Sequence, residues 1–237
     1  MKGIILAAGR GSRMGQKTDS KPKCLVEING KTLIKHQLKA FKDAGISHIA
    51  IVTGYKREML NKYGLTEFNN SRWEKTNMVA SLICANKWLI NDPCIVSYSD
   101  IYYTSKALIL LKNSKYDLAI TYDPNWLKLW SKRFTDPLVD AETFKINTVT
   151  RRVIEIGKKP KIISQIQGQF MGLILITPKS WEQIKLARNS FSSKKRNTLD
   201  MTTLLQRVIE IGNDILYGIK FEGKWGEFDT INDLSVQ

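Results

Sequence analysis

Residues 3–25 read GIILAAGRGSRMGQKTDSKPKCL. The unbroken apolar run from Ile4 to Ala8 predicts a strand buried on both faces, the habit of a parallel sheet. It opens into a turn punctuated by Gly9, Gly11 and Gly15, where missing side chains let backbone N–H groups approach an anion. Five basic residues, Arg10, Arg13, Lys17, Lys21 and Lys23, crowd this loop against one acid, Asp19. Amides and cations concentrated together predict a phosphate chain as the ligand.

Working outward, TLIKHQLKAFKDAG (residues 32–45) places Leu33, Ile34, Gln37, Leu38, Phe41 and Ala44 at helical spacing, with Gly45 as the terminator. HIAIVTG (48–54) reads as a second buried strand, so the order strand, helix, strand predicts a parallel βαβ unit with a right-handed crossover. A loop of about twenty residues inside such a unit, where about 2–6 is usual, is expected to bind rather than merely connect. Downstream, the pattern predicts helices over about 57–63, 76–90 and from Thr104, and strands at CIVSY (94–98) and LAITY (118–122). Ligands of open parallel sheets bind beyond the carboxyl ends of the strands. The glycine loop and Asp100, just after CIVSY, are both expected at that edge.

From Pro124 the pattern changes. TFKI and RRVIEIG flank Asn147 and Thr148 as a hairpin, set among Trp126, Trp130, Lys132 and Arg133. QFMGLILIT then returns to strand, SWEQIKLA to helix, and 188–197 (RNSFSSKKRN) is expected to be mobile. A helix over 199–211 and a strand near Leu216 follow. The expected architecture is α/β: a single domain spanning 1–237, with a Rossmann-like, mostly parallel sheet flanked by helices and a small β-rich substrate lobe over about 124–168.

Composition narrows the class. The net charge is +15, and a surplus of eight positive charges falls within residues 1–60, around the glycine loop. That excess suits small phosphorylated ligands as well as nucleic acid or an anionic membrane. Basic residues interleaved with aromatics on one recognisable motif are missing, so a nucleic-acid-binding module ranks low. Cys24, Cys84 and Cys94 lack C-x-x-C spacing and only His36 and His48 accompany them, which argues for reduced thiols and against zinc. The apolar start ends at Ala8, too short for a signal peptide, and no run reaches the ~18 residues of a membrane span. A cytoplasmic protein that engages neither membrane nor nucleic acid is expected, as a monomer or homodimer.

Two familiar phosphate loops fail. The dinucleotide fingerprint wants Gly or Ala where Met14 stands, and the second strand ends in Thr53-Gly54-Tyr55 rather than an acid for a ribose. A Walker loop wants Gly-Lys-Ser/Thr, whereas Gly15 is followed by Gln16. What fits is Leu6-Ala7-Ala8-Gly9-Arg10-Gly11-Ser12-Arg13 followed by Pro22-Lys23. This resembles the nucleotidyltransferases that make sugar nucleotides and CDP-activated small molecules from an NTP. Its small size and lack of a β-helix resemble the cytidylyltransferase branch acting on phosphocholine and related compounds, including phosphoglutamine.

The resemblance implies a set of roles. Residues 6–13 and Lys23 would hold the triphosphate, with Lys23 neutralising charge near the α-phosphate. Asp100 and Asp229, in Glu227-Phe228-Asp229-Thr230, would hold Mg²⁺, and Asp100 joins Lys23 and Arg13 as catalytic. Tyr55, Asn77 and Ser81 fall in segments that resemble the base-reading parts of the fold, though Thr76 to Ser81 equally fits a helix N-terminal capping cluster. The reaction implied is transfer of CMP from CTP to a small phosphorylated acceptor with release of pyrophosphate, yielding a CDP-activated precursor for modifying surface glycans. A phosphate nucleophile is already deprotonated near neutral pH, so positioning and cations suffice and no general base is needed.

For the acceptor, Tyr122, Trp126 and Trp130 offer an aromatic face for a quaternary ammonium. Lys132 and Arg133 offer cations for its phosphate, as does the pair Lys158 and Lys159, while Glu142 offers an anion for an amine. Equally, the tryptophans serve as core under the hairpin. Asp200 and Asp233 are expected to cap helices. A sugar-1-phosphate nucleotidyltransferase using UTP, dTTP or GTP is the alternative enzyme; a nucleotide sensor without turnover is the other.

Overall fold

The computed structural model describes residues 1–212 and 215–235. β1 (Lys2–Ala7) runs into the glycine loop, which winds through two 3₁₀ stretches, Ser12–Thr18 and Lys23–Leu25. A short ladder of β2 (Glu27–Ile28) and β3 (Lys31–Thr32) delivers the chain to α1 (Leu33–Asp43). α1 buries Leu33, Ile34, Gln37, Ala40 and Phe41 along one face. It stops at Gly45, whose φ of 70° lets its N–H return to the Lys42 carbonyl at 2.9 Å. Gly3 in β1 faces the Phe41 ring, where a β-carbon would stand 2.7 Å from Cε1, so the glycine sets how closely helix meets strand. β4 (Ile49–Thr53) pairs parallel with β1 and completes the predicted βαβ unit.

The predicted helix over 57–63 forms as a 3₁₀ stretch. The edge strand β5 (Thr66–Asn69) follows; its half-exposed TEFN pattern carries no strand signal and owes its form to pairing with β4. The single helix expected over 76–90 is two, α2 (Met78–Cys84) and α3 (Asn86–Leu89). Thr76 stays outside because its hydroxyl bonds the Arg72 carbonyl at 2.9 Å, and Asn77 caps the start. At the break, the Asn86 amide oxygen accepts the indole N–H of Trp181 at 2.8 Å.

β6 (Cys94–Tyr98), β7 (Ile101–Tyr103), α4 (Ser105–Lys112) and β8 (Leu118–Asp123) come next. The segment from Pro124 then supplies α5 (Trp126–Arg133) and the predicted hairpin of β9 (Phe144–Ile146) and β10 (Val153–Ile156). In the hairpin loop the Asn147 side chain accepts the N–H groups of Val149 and Thr150. β11 (Gln169–Ile176) and α6 (Pro178–Asn189) lead to a correction. Residues 193–197, expected to be mobile, form α7 (Ser193–Asn197), capped by Ser192 and tied to α2 by the Asn77 N–H on the Asn197 carbonyl at 2.7 Å. α8 (Met201–Ile211), capped by Asp200 as expected, precedes β12 (Tyr217–Lys220) and β13 (Trp225–Glu227).

The seven-stranded sheet has the order β12, β8, β11, β6, β1, β4, β5. All neighbours are parallel except β11, which runs against both β8 and β6. Alternate residues divide between two apolar layers, Ile4, Leu6, Val52 and Val96 on one face and Ile5, Ala7, Ile51 and Ile95 on the other. Among the described residues no helix is long and apolar enough to cross a membrane. Cys24 and Cys94 are buried, which pushes both thiols up to about 12; Cys84 is half-buried.

Candidate active site

At the end of β1 the chain turns through Gly11 (φ 74°) and Gly15 (φ 53°), conformations that L side chains resist. The Thr18 hydroxyl pins both by donating to the Gly11 carbonyl at 3.0 Å and the Gly15 carbonyl at 3.2 Å. Arg10 pairs with Asp19, and the Tyr55 hydroxyl donates to the Asp19 carbonyl at 2.6 Å. The Tyr55 N–H reaches the Ala8 carbonyl at 2.9 Å, so Tyr55 fastens the end of β4 to the loop, and its ring meets that of Trp73 edge to face at 5.2 Å. Gly11 also seats Lys23: a β-carbon there would lie 2.7 Å from Lys23 Cδ.

Lys23 is buried, and its Nζ donates to Asp100 Oδ2 at 2.8 Å and to Asp229 Oδ1 at 2.6 Å. Arg13 adds a second cation at 3.1 Å from the same Asp229 oxygen. The aspartates meet because β7 and β13 pair antiparallel, Ile101 opposite Glu227, with the Phe228 N–H on the Asp100 carbonyl at 3.0 Å. Buried Gln37 of α1 holds the turn carrying Asp100, donating to the carbonyls of Tyr98 and Ile101 at 2.7 Å each. Burial alone would lower the pKa of Lys23, but Asp100 and Asp229 raise it above the ordinary value. Burial likewise opposes the charge on Asp229, and Lys23, Arg13 and Arg133 overcome it to hold that carboxyl below the usual range. Asp233 accepts the backbone N–H groups of Asp229 and Thr230 at 2.8 and 2.7 Å, so it caps the last turn from a buried position.

Two cavities flank this centre. One of about 110 Å³ lies over Leu6, Ala8 and Gly9 and is closed by Trp73, Thr76, Asn77, Met78 and Ser81. Buried Asn70 donates to the hydroxyls of Thr76 and Ser81 at 3.0 Å each. Gly54 matters here, because a β-carbon would stand 2.6 Å from both the Ala8 carbonyl oxygen and Trp73 Cβ. The other cavity, about 280 Å³, reaches from Arg13 and Asp229 to Tyr98, Trp130 and Phe170, with Asp140, Glu142 and Asp200 in its wall. The Trp130 indole donates to Asp140 Oδ2 at 3.2 Å. Burial, with Asp200 and Asp140 nearby, pushes the Glu142 carboxyl up to about 7.

The expected acceptor residues separate. Trp130 and Glu142 line the larger cavity. Lys132 faces a different groove beside Lys128 and Lys224. Arg133 is enclosed, its side chain 1 % exposed and ion-paired with Glu227 and Asp233, so it offers nothing to an acceptor phosphate. Trp126 is buried with its indole on the Ile166 carbonyl, and Tyr122 stacks on Phe144; these are core. Lys158 pairs with Glu155, and Lys159 donates to the carbonyls of Leu138 and Val139. The aromatic wall is instead Trp130 with Tyr98 and Phe170, whose rings meet edge to face at 5.6 Å. Sequence reasoning missed Tyr98, Phe170, Trp73 and Gln37. Tyr98 ends a parallel strand and Phe170 starts the antiparallel one, so both reach the same edge. Gln37 showed a signal, an amide within an apolar helix face.

A glycine-rich cradle, a buried lysine between two aspartates and a mostly parallel α/β sheet together define a nucleotidyltransferase. Residues 3–144 match the MobA-like NTP transferase domain. The chain belongs to that family. It is 38% identical, over 100% of its length and 99% of the relative's, to the CTP:phosphoglutamine cytidylyltransferase of Campylobacter jejuni. A choline-phosphate cytidylyltransferase of Streptococcus pneumoniae is 39% identical over 38% of this chain and 42% of its own. In fold it is similar to the solved structure of the CTP:phosphocholine cytidylyltransferase from S. pneumoniae (TM-score 0.73, 23% identity, 99% and 96% of the chains covered). It is also similar to the inositol-1-phosphate CTP transferase from T. maritima (TM-score 0.77, 19% identity, 98% and 90% covered).

Proposed function

We propose that the protein transfers CMP from CTP to a small phosphorylated acceptor that carries an ammonium group, with phosphoglutamine the first candidate and phosphocholine the second. The observation that carries this reading is the meeting, at Arg13 and Asp229, of a cation-bearing cradle with a cavity walled by carboxylates and aromatic rings. Asp140, Glu142 and Asp200 make one wall of that cavity acidic, and Tyr98, Trp130 and Phe170 are rings suited to hold a cation beside them. The uncharged sugar ring of a sugar 1-phosphate would bring no cation to those acids. The full-length similarity to an enzyme named for CTP and phosphoglutamine supports the same choice.

In the proposed reaction an oxygen of the acceptor's phosphate attacks the α-phosphorus of CTP, forming a new P–O bond as the bond to the β-phosphate oxygen breaks and pyrophosphate leaves. The loop amides and Arg13 orient the triphosphate, and Asn77, Thr76 and Ser81 face the base. Lys23, kept charged by its two carboxylates, supplies a cation where negative charge develops on the α-phosphoryl oxygens. Asp100 and Asp229 fit a resident Mg²⁺: both are hard oxygen donors brought together on either side of Lys23 Nζ, and Asp100 Oδ1 is buried without a hydrogen-bond partner. When bound, that ion supplies neutralising charge to the phosphates. We place the reaction in the cytoplasm, where CTP is available, and its product as a CDP-activated precursor for surface glycans.

The test is pyrophosphate release from each NTP against phosphoglutamine, phosphocholine, aminoethylphosphonate and sugar 1-phosphates, with product masses. Turnover of CTP with an amine-bearing acceptor is expected. Turnover confined to UTP, dTTP or GTP with sugar 1-phosphates would overturn the reading.

A further inference from the structure

Arg133 ends α5, in the segment that walls the larger cavity, yet its guanidinium serves the C-terminal turn. Nη1 donates to Glu227 Oε2 at 2.9 Å, Nε to Asp233 Oδ1 at 2.8 Å and Nη2 to Asp233 Oδ2 at 3.4 Å, while Nη2 stands 3.8 Å from Asp229 Oδ2. Its flat cation lies over the rings of Trp130 and Phe134 at 5.0 and 5.1 Å. Asp233, held on one side by this fork, accepts the backbone N–H groups of Asp229 and Thr230 on the other. Three acids, Glu227, Asp229 and Asp233, therefore close on one enclosed guanidinium. Without it their mutual repulsion would act on the turn that Lys23, Arg13 and the Phe228 N–H tie to the site.

We infer that Arg133, acting through Asp233, is the positioning residue for Asp229: it fixes where that carboxylate points and keeps it in register with Asp100. The inference rests on the reading of Asp229 as a metal-holding acid. A lysine at 133 keeps the charge but contacts at one point, whereas the planar fork contacts Glu227 and Asp233 at once. Geometry rather than charge is thus the quantity to perturb.

Arg133→Lys and Asp233→Asn are compared with Asp229→Asn. The readouts are the Mg²⁺ concentration for half-maximal rate, KM for CTP, and Mn²⁺ binding in the presence of a non-hydrolysable CTP analogue by electron paramagnetic resonance. For Arg133→Lys and Asp233→Asn we expect the Mg²⁺ requirement and Mn²⁺ dissociation constant each to rise about tenfold, the usual effect of loosening a ligand's support, with KM for CTP within about twofold. Unchanged metal response in both folded variants overturns the inference. Loss of a cooperative melt in both also overturns it, since Arg133 would then serve stability alone. If Asp229→Asn itself leaves the metal response intact, the metal reading falls; if it abolishes the response while Arg133→Lys is normal, only the positioning role falls.

Discussion

Lys23 is a buried cation facing two carboxylates, so its removal does more than delete a contact. Lys23→Ala leaves Asp100 and Asp229 opposed across the site, and a cation lost from developing phosphoryl charge typically costs about 10²–10³ in rate. We expect kcat to fall by about that factor with KM for CTP changed little, which steady-state kinetics will check; an unimpaired kcat removes the assigned role. Glu142 gives a prediction with a definite sign. Its carboxyl is pushed up to about 7, chiefly by burial, so below that pH it is neutral and draws no ammonium. KM for an amine-bearing acceptor should therefore fall as pH rises from about 6 to about 8, and Glu142→Gln should flatten the profile. Stability moves the other way: the folded protein holds this proton more tightly than the unfolded chain, so Glu142's contribution declines between the ordinary value of 4.5 and about 7. At this scale Lys23 was legible from the signature, Asp100 from the end of CIVSY, and Asp229 from the family resemblance alone. Lys132 and Arg133 were not separable, since neighbours in a helix point about 100° apart and only the partners decide which is enclosed.

The elements that were legible carry their stabilisation locally. α1 announces itself by spacing, and its largest buried side chain is Phe41, fully buried against Gly3. Phe41→Ala should lower unfolding free energy by about 3–5 kcal/mol, read by denaturant titration, with little effect on KM for CTP. The elements that escaped are short and pair at a distance. β7 and β13 have three residues each, and neither reads as a strand until the other, more than a hundred residues away, is laid beside it. That ladder sets Asp100 beside Asp229. The basic stretch over 193–197 was misread because its composition is that of a solvated loop, while its order comes from Ser192 and from Asn77 on α2.

For the whole molecule, the parallel α/β frame followed from alternating strands and helices, and the reach of β11 into its middle did not. Single-sequence patterning shows that a strand exists but says nothing about which two neighbours it joins. Here the strand at 169–176 separates β6 from β8, so until it arrives the raft of β1, β4, β5 and β6 and the strand β8 each lack a partner on the edge they turn to the other. During synthesis the first half of the chain must wait with two bare β edges, exposed to pairing with other chains, until the ribosome has released the keystone. A fragment ending at residue 144, the limit of the matched family domain, should accordingly aggregate or show no cooperative melt, whereas the intact chain refolds as one unit. The enzyme's vulnerability is thus to interrupted translation, with its catalytic loop finished early and idle beside an unfinished sheet.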